Sequence, residues 1–295
     1  MNKEIVTEIE KKGFKHRMFE NTLYLNFSSD RLDENREFYI SYGLKNIELN
    51  DIRGFKECDL KCLKDLYVEG LHIVARIDDF SELKSHRELK YLSFDNSPTE
   101  EFDLMLFPNL EELKLDWTRS IKNLYSHKNI KYLWLFKYKT KTKDLQEISN
   151  MTQLEALKIG QSSIVSLSGL ASLKKLRWLS LPYNLSLSNF ESTDKVMENL
   201  ICLHIERCVK LTIENLPVMP NLKELFYINN GKVASLKLLL SKTPNLEILD
   251  LQQSVVEEQD VSYLLSLPKL KRIYYPEKKW HKYSSEDLNE RISRK

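Results

Sequence analysis

Glycine is scarce in this chain: seven in 295 residues, about a third of the usual share of roughly 7%. The closest pair, Gly160 and Gly169, stands nine residues apart. No G-x-G-x-x-G, G-x-x-x-x-G-K-[ST] or G-x-S-x-G can therefore be written, which excludes Gly-rich phosphate cradles and glycine-built nucleophile elbows. Cysteine is nearly as rare. Four residues do not make a disulfide framework, and the pairs Cys58/Cys62 and Cys202/Cys208 read more simply as reduced thiols of a cytoplasmic chain. Cys58-x-x-x-Cys62 lacks a second ligand pair at zinc spacing, and the six histidines form no H-E-x-x-H, so no metal is expected. No apolar run reaches the roughly 18 residues of a membrane span. Neither charge sign dominates, with 45 Lys+Arg against 43 Asp+Glu, so the electrostatic footprint of a nucleic-acid binder is missing. The opening segment MNKEIVTEIEKKGF has no apolar core of a secretory signal, and the mature chain is expected to begin there.

Leucine is what the chain has instead: 49 of 295 residues, one in six. The leucines recur as apolar-x-x-apolar-x-apolar. Copies begin at Leu44, Leu63, Leu89, Leu110, Ile130, Leu154, Leu176, Leu200, Leu222, Leu246 and Leu270, a mean period of about 22.6 residues. Leu23 and Leu25 suggest a degenerate earlier copy. In such a string the two later leucines point one way and their neighbours the other. Each short strand can bury its leucines only against another repeat, so the repeats must stack around one core. Four prolines, Pro108, Pro220, Pro244 and Pro268, stand two residues before a first leucine, where proline ends a short helix or 3₁₀ turn and starts the strand.

These repeats resemble the leucine-rich repeat family, whose pattern is L-x-x-L-x-L-x-x-[NC]-x-L at 20–29 residues. The regular run Ile164, Leu167, Leu170, Leu173, Leu176, Leu179, Leu181 is similar to the short class of bacterial internalin-like proteins and of a phosphatase-regulating subunit. The resemblance implies an α/β solenoid, curved, with a parallel sheet on its concave face and short helices or 3₁₀ turns on the convex one. It places a helical cap at 1–19, the repeats at 20–276 and a charged cap at 277–295, where Ser284 is set to cap a short helix through Arg291. The family's Asn/Cys position is met by Asn184, Cys208 and Asn230. Ser97, Thr118, Ser162 and Ser254 replace it with hydroxyls that can still bond backbone, whereas Ile52, Leu71 and Tyr138 cannot, and irregular loops are expected there.

Counting each first leucine as position 1, alternation sends positions 3, 5 and 7 to the open side. The candidate partner-binding residues there are Tyr91, Glu112, Tyr132 and Trp178 at position 3, Lys114, Trp134, His204 and Phe226 at position 5, and Asp116, Phe136 and Glu206 at position 7. Trp117 and Tyr183 stand at the edge, and Asp65, Glu69 and Asp95 form an acidic rim. Aromatic anchors beside charges are the composition of interface hot spots. The competing reading is a slip of phase that would put WLFKY in the core; Leu133 and Leu135 argue against it.

Cys202, His204 and Glu206 share a face with Ser180 beside them, but alternate residues on a strand lie about 6.5–7 Å apart, too far for direct proton transfer. Groove lining is the expected role. The run from Lys137 to Lys143 places four lysines and Tyr138 on one loop, as a solvated segment or a basic rim. No catalytic constellation is legible and no cofactor is implied. The expected function is a non-enzymatic scaffold that binds a protein partner in its groove, as a cytoplasmic inhibitor, immunity or regulatory protein, monomeric alone and with no membrane contact. The alternatives are an effector-type or enzyme-regulating chain working with a separate catalytic partner, and, less favoured, nucleic-acid binding through the lysines of 137–143.

Overall fold

Each repeat closes around its leucines, and the computed structural model, which describes residues 2–19, 21–190, 193 and 197–294, places one strand per repeat. The chain divides into two compact units, Met1–Leu133 and Trp134–Lys295.

In the first unit, helix α1 (Asn2–Lys11) fully buries Ile9 and ends at Gly13, which takes the left-handed conformation (φ +69°). Residues 15–19 are thus not helical, as a cap over 1–19 would require. They form β1 (Lys15–Phe19), antiparallel to β2 (Thr22–Phe27). After α2 (Leu32–Ser41) the strands run parallel in chain order: β3 (Asn46–Leu49), β4 (Gly70–Ile73), β5 (Tyr91–Phe94) and, beyond the short β6 (Phe102–Asp103), β7 (Glu112–Asp116). On the return limb β6 pairs with β8 (Ile121–Lys122). The boundary between the units falls inside β9 (Tyr132–Phe136).

Two phases differ from the sequence pattern. Leu25 and Phe27, rather than Leu23 and Leu25, pair with Ile47 and Leu49 and so hold the inward positions of the first copy. The second copy also shifts. Leu63 ends a 3₁₀ turn, Asp65 sits in a left-handed turn (φ +62°), and the strand carries Leu71 and Ile73 inward. Val68 is therefore position 1, and the adjoining intervals become 24 and 21 residues instead of 19 and 26. Leu66 and Val68 misled the pattern because they are buried too, in the turn that leads to the strand.

In the second unit β10 (Ala156–Gly160), β11 (Trp178–Pro182), β12 (Cys202–Glu206) and β13 (Glu224–Ile228) are parallel and in register. Past the short β14 (Lys232–Val233) and α3 (Leu236–Lys242), β15 (Ile248–Asp250) and β17 (Arg272–Tyr274) continue the same sheet. Between those two, β16 (Val255–Val256) pairs with β14 on the return limb. Three of the phased prolines act as expected: 3₁₀ turns end at Leu106 and Ser266 and α3 ends at Lys242, two residues ahead of Pro108, Pro268 and Pro244, whereas the turn before Pro220 already ends at Asn215. Helix α4 (Ser285–Ser293) is capped by Ser284, whose hydroxyl accepts the amide of Asp287.

The inward leucines carry the stability of each unit. Leu113, Leu115 and Leu133 in the first, and Leu157, Leu179, Leu181, Leu203 and Leu225 in the second, have no exposed surface. A fully buried leucine is worth about 1.5–3 kcal/mol against leaving it in water.

Candidate functional site

On the open side of the second unit, the register sets side chains in rows. Lys158, Ser180, His204, Phe226 and Asp250 stand abreast on neighbouring strands, and Pro182, Glu206 and Ile228 form the next row. Trp134 and Phe136 project on that side while Leu133 and Leu135 are fully buried, so the phase through WLFKY is the one alternation gives. The rings are half-buried rather than free. The ammonium of Lys158 lies 5.6 Å from the centroid of each, a cation–π contact of order 0.5–1 kcal/mol at a site open to water. Gly160 makes room for this packing, since a Cβ there would come within 2.9 Å of the Phe136 ring and 3.2 Å of Pro182. Trp178 is half-buried at the start of the neighbouring strand. Tyr183 is 40% exposed, has the Arg207 guanidinium 5.4 Å over its ring, and hydrogen-bonds Glu206, which raises its hydroxyl pKa.

His204 shares a hydrogen bond with the Ser180 hydroxyl (Nδ1, 3.0 Å), and its Nε2 lies 3.6 Å from the Glu206 carboxylate. Strand spacing alone sets those tips farther apart; the longer side chains lean together. The group is nevertheless poorly suited to nucleophilic chemistry. Ser180 has no exposed surface, burial lowers the pKa of His204, and burial pushes the Cys202 thiol up to about 12, so a reactive thiolate is disfavoured at neutral pH. Phe226 meets the His204 ring edge-on at 6.0 Å.

The first unit uses its open side differently. Tyr91 is not a free anchor: Tyr24 packs edge-on against it at 5.7 Å, Phe19 of β1 lies at 6.4 Å, and burial raises its hydroxyl to about 12. Glu112, Lys114 and Asp116 are half-buried, Tyr132 is 39% exposed, and Trp117 turns its indole N–H to the Tyr125 hydroxyl at 3.0 Å. The acidic rim is not a row of free carboxylates. Asp65 lies off the strand, and Glu69 precedes β4, where Lys45 (2.9 Å), Lys90 (3.1 Å) and the Tyr67 hydroxyl (2.9 Å) bind it. The hydrogen bond from Lys45 leads in lowering its pKa to about 2. Asp95 is paired with Lys114 at 3.3 Å.

Sequence reasoning missed the main polar feature of this unit. Glu48, 1% exposed, is surrounded by Arg53 (3.1 Å), His72 (3.3 Å) and Arg17 (3.4 Å), and Arg17 also reaches Nδ1 of His72 at 2.5 Å. Burial works against the Glu48 charge, yet the His72 hydrogen bond and the two guanidiniums outweigh it and hold the carboxyl below its usual range. Arg17 lies in the hairpin outside the repeats, and His72 was hidden by the slipped phase. The loop of 137–143 also differs from its reading: Lys137, Lys139, Lys141 and Lys143 are exposed, but Tyr138 is buried in the core. Among the described residues, no three His, Cys, Asp or Glu side chains converge as a metal site would need.

No protein-family model matches the sequence, and no curated protein does. Solved structures with similar chains include an internalin, InlF, from Listeria monocytogenes, with 19% identity over 85% of this chain and 72% of that one and a TM-score of 0.47. The functional domain of InlJ from the same organism has 14% identity over 78% of this chain and 54% of that one, with a TM-score of 0.48. A leucine-rich-repeat protein of Leptospira interrogans has 16% identity over 85% of this chain and 72% of that one, with a TM-score of 0.40. The chain's own evidence is more direct: a repeat of about 22 residues, one parallel strand in each, and inward leucines buried at the expected positions of nearly every copy. On that evidence the fold is the α/β leucine-rich-repeat fold, with one parallel strand in each repeat.

Proposed function

We propose that this protein is a non-enzymatic scaffold that binds a partner protein on the open strand face of its second unit. The observation that carries the reading is Trp134, Phe136, Trp178 and Tyr183 standing on the side of the strands that the core does not need. Half-buried aromatic rings flanked by Lys158, Arg207 and Glu206 supply desolvating anchors with a charged surround. His204 and Phe226 extend the face as ordinary lining. Binding of this kind suits an inhibitor, immunity or regulatory role in a reducing compartment. All four cysteines are free thiols, and three of them are buried, which fits the cytoplasm. No helix among the described residues is long and apolar enough to cross a membrane.

The test is co-purification from the native host with Trp134→Ala and Trp178→Ala beside the unaltered chain. Each variant should lose the partner, while its thermal midpoint falls by no more than about 3 °C, the equivalent of roughly 1 kcal/mol for a chain of this size. Retention of the partner by both variants would place the binding face elsewhere. Retention by both, together with release by neutralising Lys137, Lys139, Lys141 and Lys143 and a steep loss with salt, would favour the nucleic-acid reading.

A further inference from the structure

A cavity of about 520 Å³ lies in the first unit, away from the strand face, where the end of α1, the start of α2 and the loop after β3 meet. Its size is that of a small-molecule site, about 300–1,000 Å³. Gly13 and Gly54 form part of its wall without side chains; a Cβ on Gly54 would come 3.2 Å from that of Ser28. We propose that this cavity is an anion site that takes the phosphate of a small, soluble phosphomonoester, with the body of the ester filling the remaining space.

The charges in the wall carry the argument. Arg53 turns Nη1 to Glu48 (3.1 Å) and to the His16 carbonyl (2.6 Å), and its own carbonyl accepts from Lys15 and Asn26. Arg31 is held by Glu34 (2.6 Å), by the Lys12 carbonyl (2.8 Å) and over the Phe14 ring (4.3 Å). Lys15 and Lys56 are different. Each ammonium donates to one backbone carbonyl, Lys15 to Arg53 at 3.2 Å and Lys56 to Asp51 at 2.8 Å, and neither meets a carboxylate among the described residues. Two donors remain on each. Opposed to them in the wall is one acid, Asp30, so the site keeps a net positive charge.

Ser29 adds a directed donor. Its hydroxyl oxygen accepts the Lys56 amide at 2.7 Å, which leaves its proton for a ligand. Two ammoniums and a hydroxyl suit a phosphate dianion better than a lone carboxylate, because each lysine acts as a point charge toward one oxygen. Behind them Asn26, 1% exposed, donates its amide to the carbonyls of Phe27 (3.2 Å) and Arg53 (3.4 Å), and its Oδ1 has no partner in the structure. That oxygen is closed off from the cavity, so Asn26 braces the wall and the ester's body is held by the space beside the phosphate.

Isothermal titration of the full chain at constant ionic strength tests the assignment with ribose 5-phosphate, inorganic phosphate, ribose, and phosphatidylcholine vesicles containing phosphatidic acid. The expected result is saturable binding of ribose 5-phosphate, tighter than inorganic phosphate, with no binding of ribose. Lys15→Gln combined with Lys56→Gln should weaken it at least tenfold, and Ser29→Ala several-fold, while Lys139→Gln with Lys141→Gln leaves it unchanged. Absence of saturable binding, or equal affinity in the Lys15→Gln/Lys56→Gln variant, overturns the site. Inorganic phosphate binding as tightly as the ester overturns the role given to the rest of the cavity. Capture by the vesicles without binding of ribose 5-phosphate overturns the choice of a soluble ester over a lipid headgroup.

Discussion

The two units share one repeat and solve its tightest turn in opposite ways. In the second unit the residue after each strand, position 8, is left-handed in six copies: Lys137, Gln161, Tyr183, Arg207, Asn229 and Gln253, none of them glycine. In five of these, the N–H donates forward to the position 7 carbonyl of the following repeat, at 2.7–3.1 Å. One residue on, a buried ladder runs through the side chains. Ser162 accepts the Tyr138 amide, Asn184 accepts that of Ser162, Asn230 accepts that of Cys208, and Ser254 accepts that of Asn230. In the first unit the matching residues, Asp51, Ala75, Asn96 and Trp117, are not left-handed. There the amides of Ala75 and Asp95 donate backward, to Leu49 and Ile73 of the preceding repeat. In the second unit one turn geometry thus recurs from copy to copy, whereas the first unit builds its turns separately even where Ser97 and Thr118 hold position 9. The faces differ in the same sense. The first unit ties its polar face residues to one another around Glu48, while the second leaves aromatic rings half open.

The largest effect should come from breaking the tied face. Glu48→Ala leaves Arg17, Arg53 and His72 without their shared carboxylate, and removal of one member of a buried ionic group costs about 3–5 kcal/mol. Glu206→Ala, on the looser face, should cost below about 1 kcal/mol, since its side chain is a quarter exposed. Urea denaturation of both variants decides this; equal losses would erase the contrast between the faces. Next comes the ladder. Asn184→Ala strips partners from the Ser162 amide (3.0 Å) and the Ile159 carbonyl (2.7 Å), both buried. Taking the lower part of about 1–3 kcal/mol for each of the two orphaned neutral groups, a loss of roughly 2–4 kcal/mol is expected. Ser97→Ala in the first unit removes one part-buried bond to the Asp116 carbonyl and should cost about 1 kcal/mol. A Ser97→Ala loss as large as that of Asn184→Ala would mean that the ladder adds nothing special.

The same contrast decides what could be read from the sequence. Inward leucines, phased prolines and the hydroxyls that replace asparagine were legible because each is a local consequence of one repeat. Leu157, Leu179 and Leu203 lie where period 2 within period 22 puts them. The second strand copy was misplaced because Leu63, Leu66 and Val68 match the motif while Leu71 and Ile73 form the strand; apolar spacing cannot tell a buried turn from a buried strand. The Glu48 cluster was beyond reach for another reason. Arg17 arrives from an antiparallel hairpin 31 residues earlier in the chain, outside the periodicity that orders everything else. Half-burial of Trp134 and Phe136 was likewise hidden, since it depends on where Lys158 lays its stem.

Acid should weaken the first unit through the carboxylates it has tied down. Glu69 has its pKa lowered to about 2, so the folded state holds its charge more tightly than the unfolded chain, whose value is near 4.3. Its contribution is present in full above the unfolded value and is lost as pH falls from about 4.5 toward 2. Glu48 follows the same sign, its pKa also being lowered. The stability gap between the unaltered chain and Glu69→Gln should therefore be widest near neutrality and close as pH drops through that window, as thermal melts from pH 7 to pH 2.5 would record. A gap that widens in acid would contradict the ion pairs with Lys45 and Lys90.

The smallest effect separates the two turns by sign. Gln253 is exposed and left-handed (φ +59°), a conformation that costs an L-residue roughly 1–2 kcal/mol. Gln253→Gly removes that strain. Part of the gain is offset by the larger entropy of glycine in the unfolded chain, about 0.4–1 kcal/mol, so a net stabilisation of about 0.5–1 kcal/mol is expected. Ala75 holds the same repeat position in the first unit but has no left-handed strain and is 2% exposed. Ala75→Gly therefore gains nothing from the backbone and loses a buried methyl, a destabilisation of about 1 kcal/mol or more. One substitution at one repeat position should thus stabilise one unit and weaken the other. Shifts of the same sign in paired melts would mean that the two units close their strands by one geometry after all.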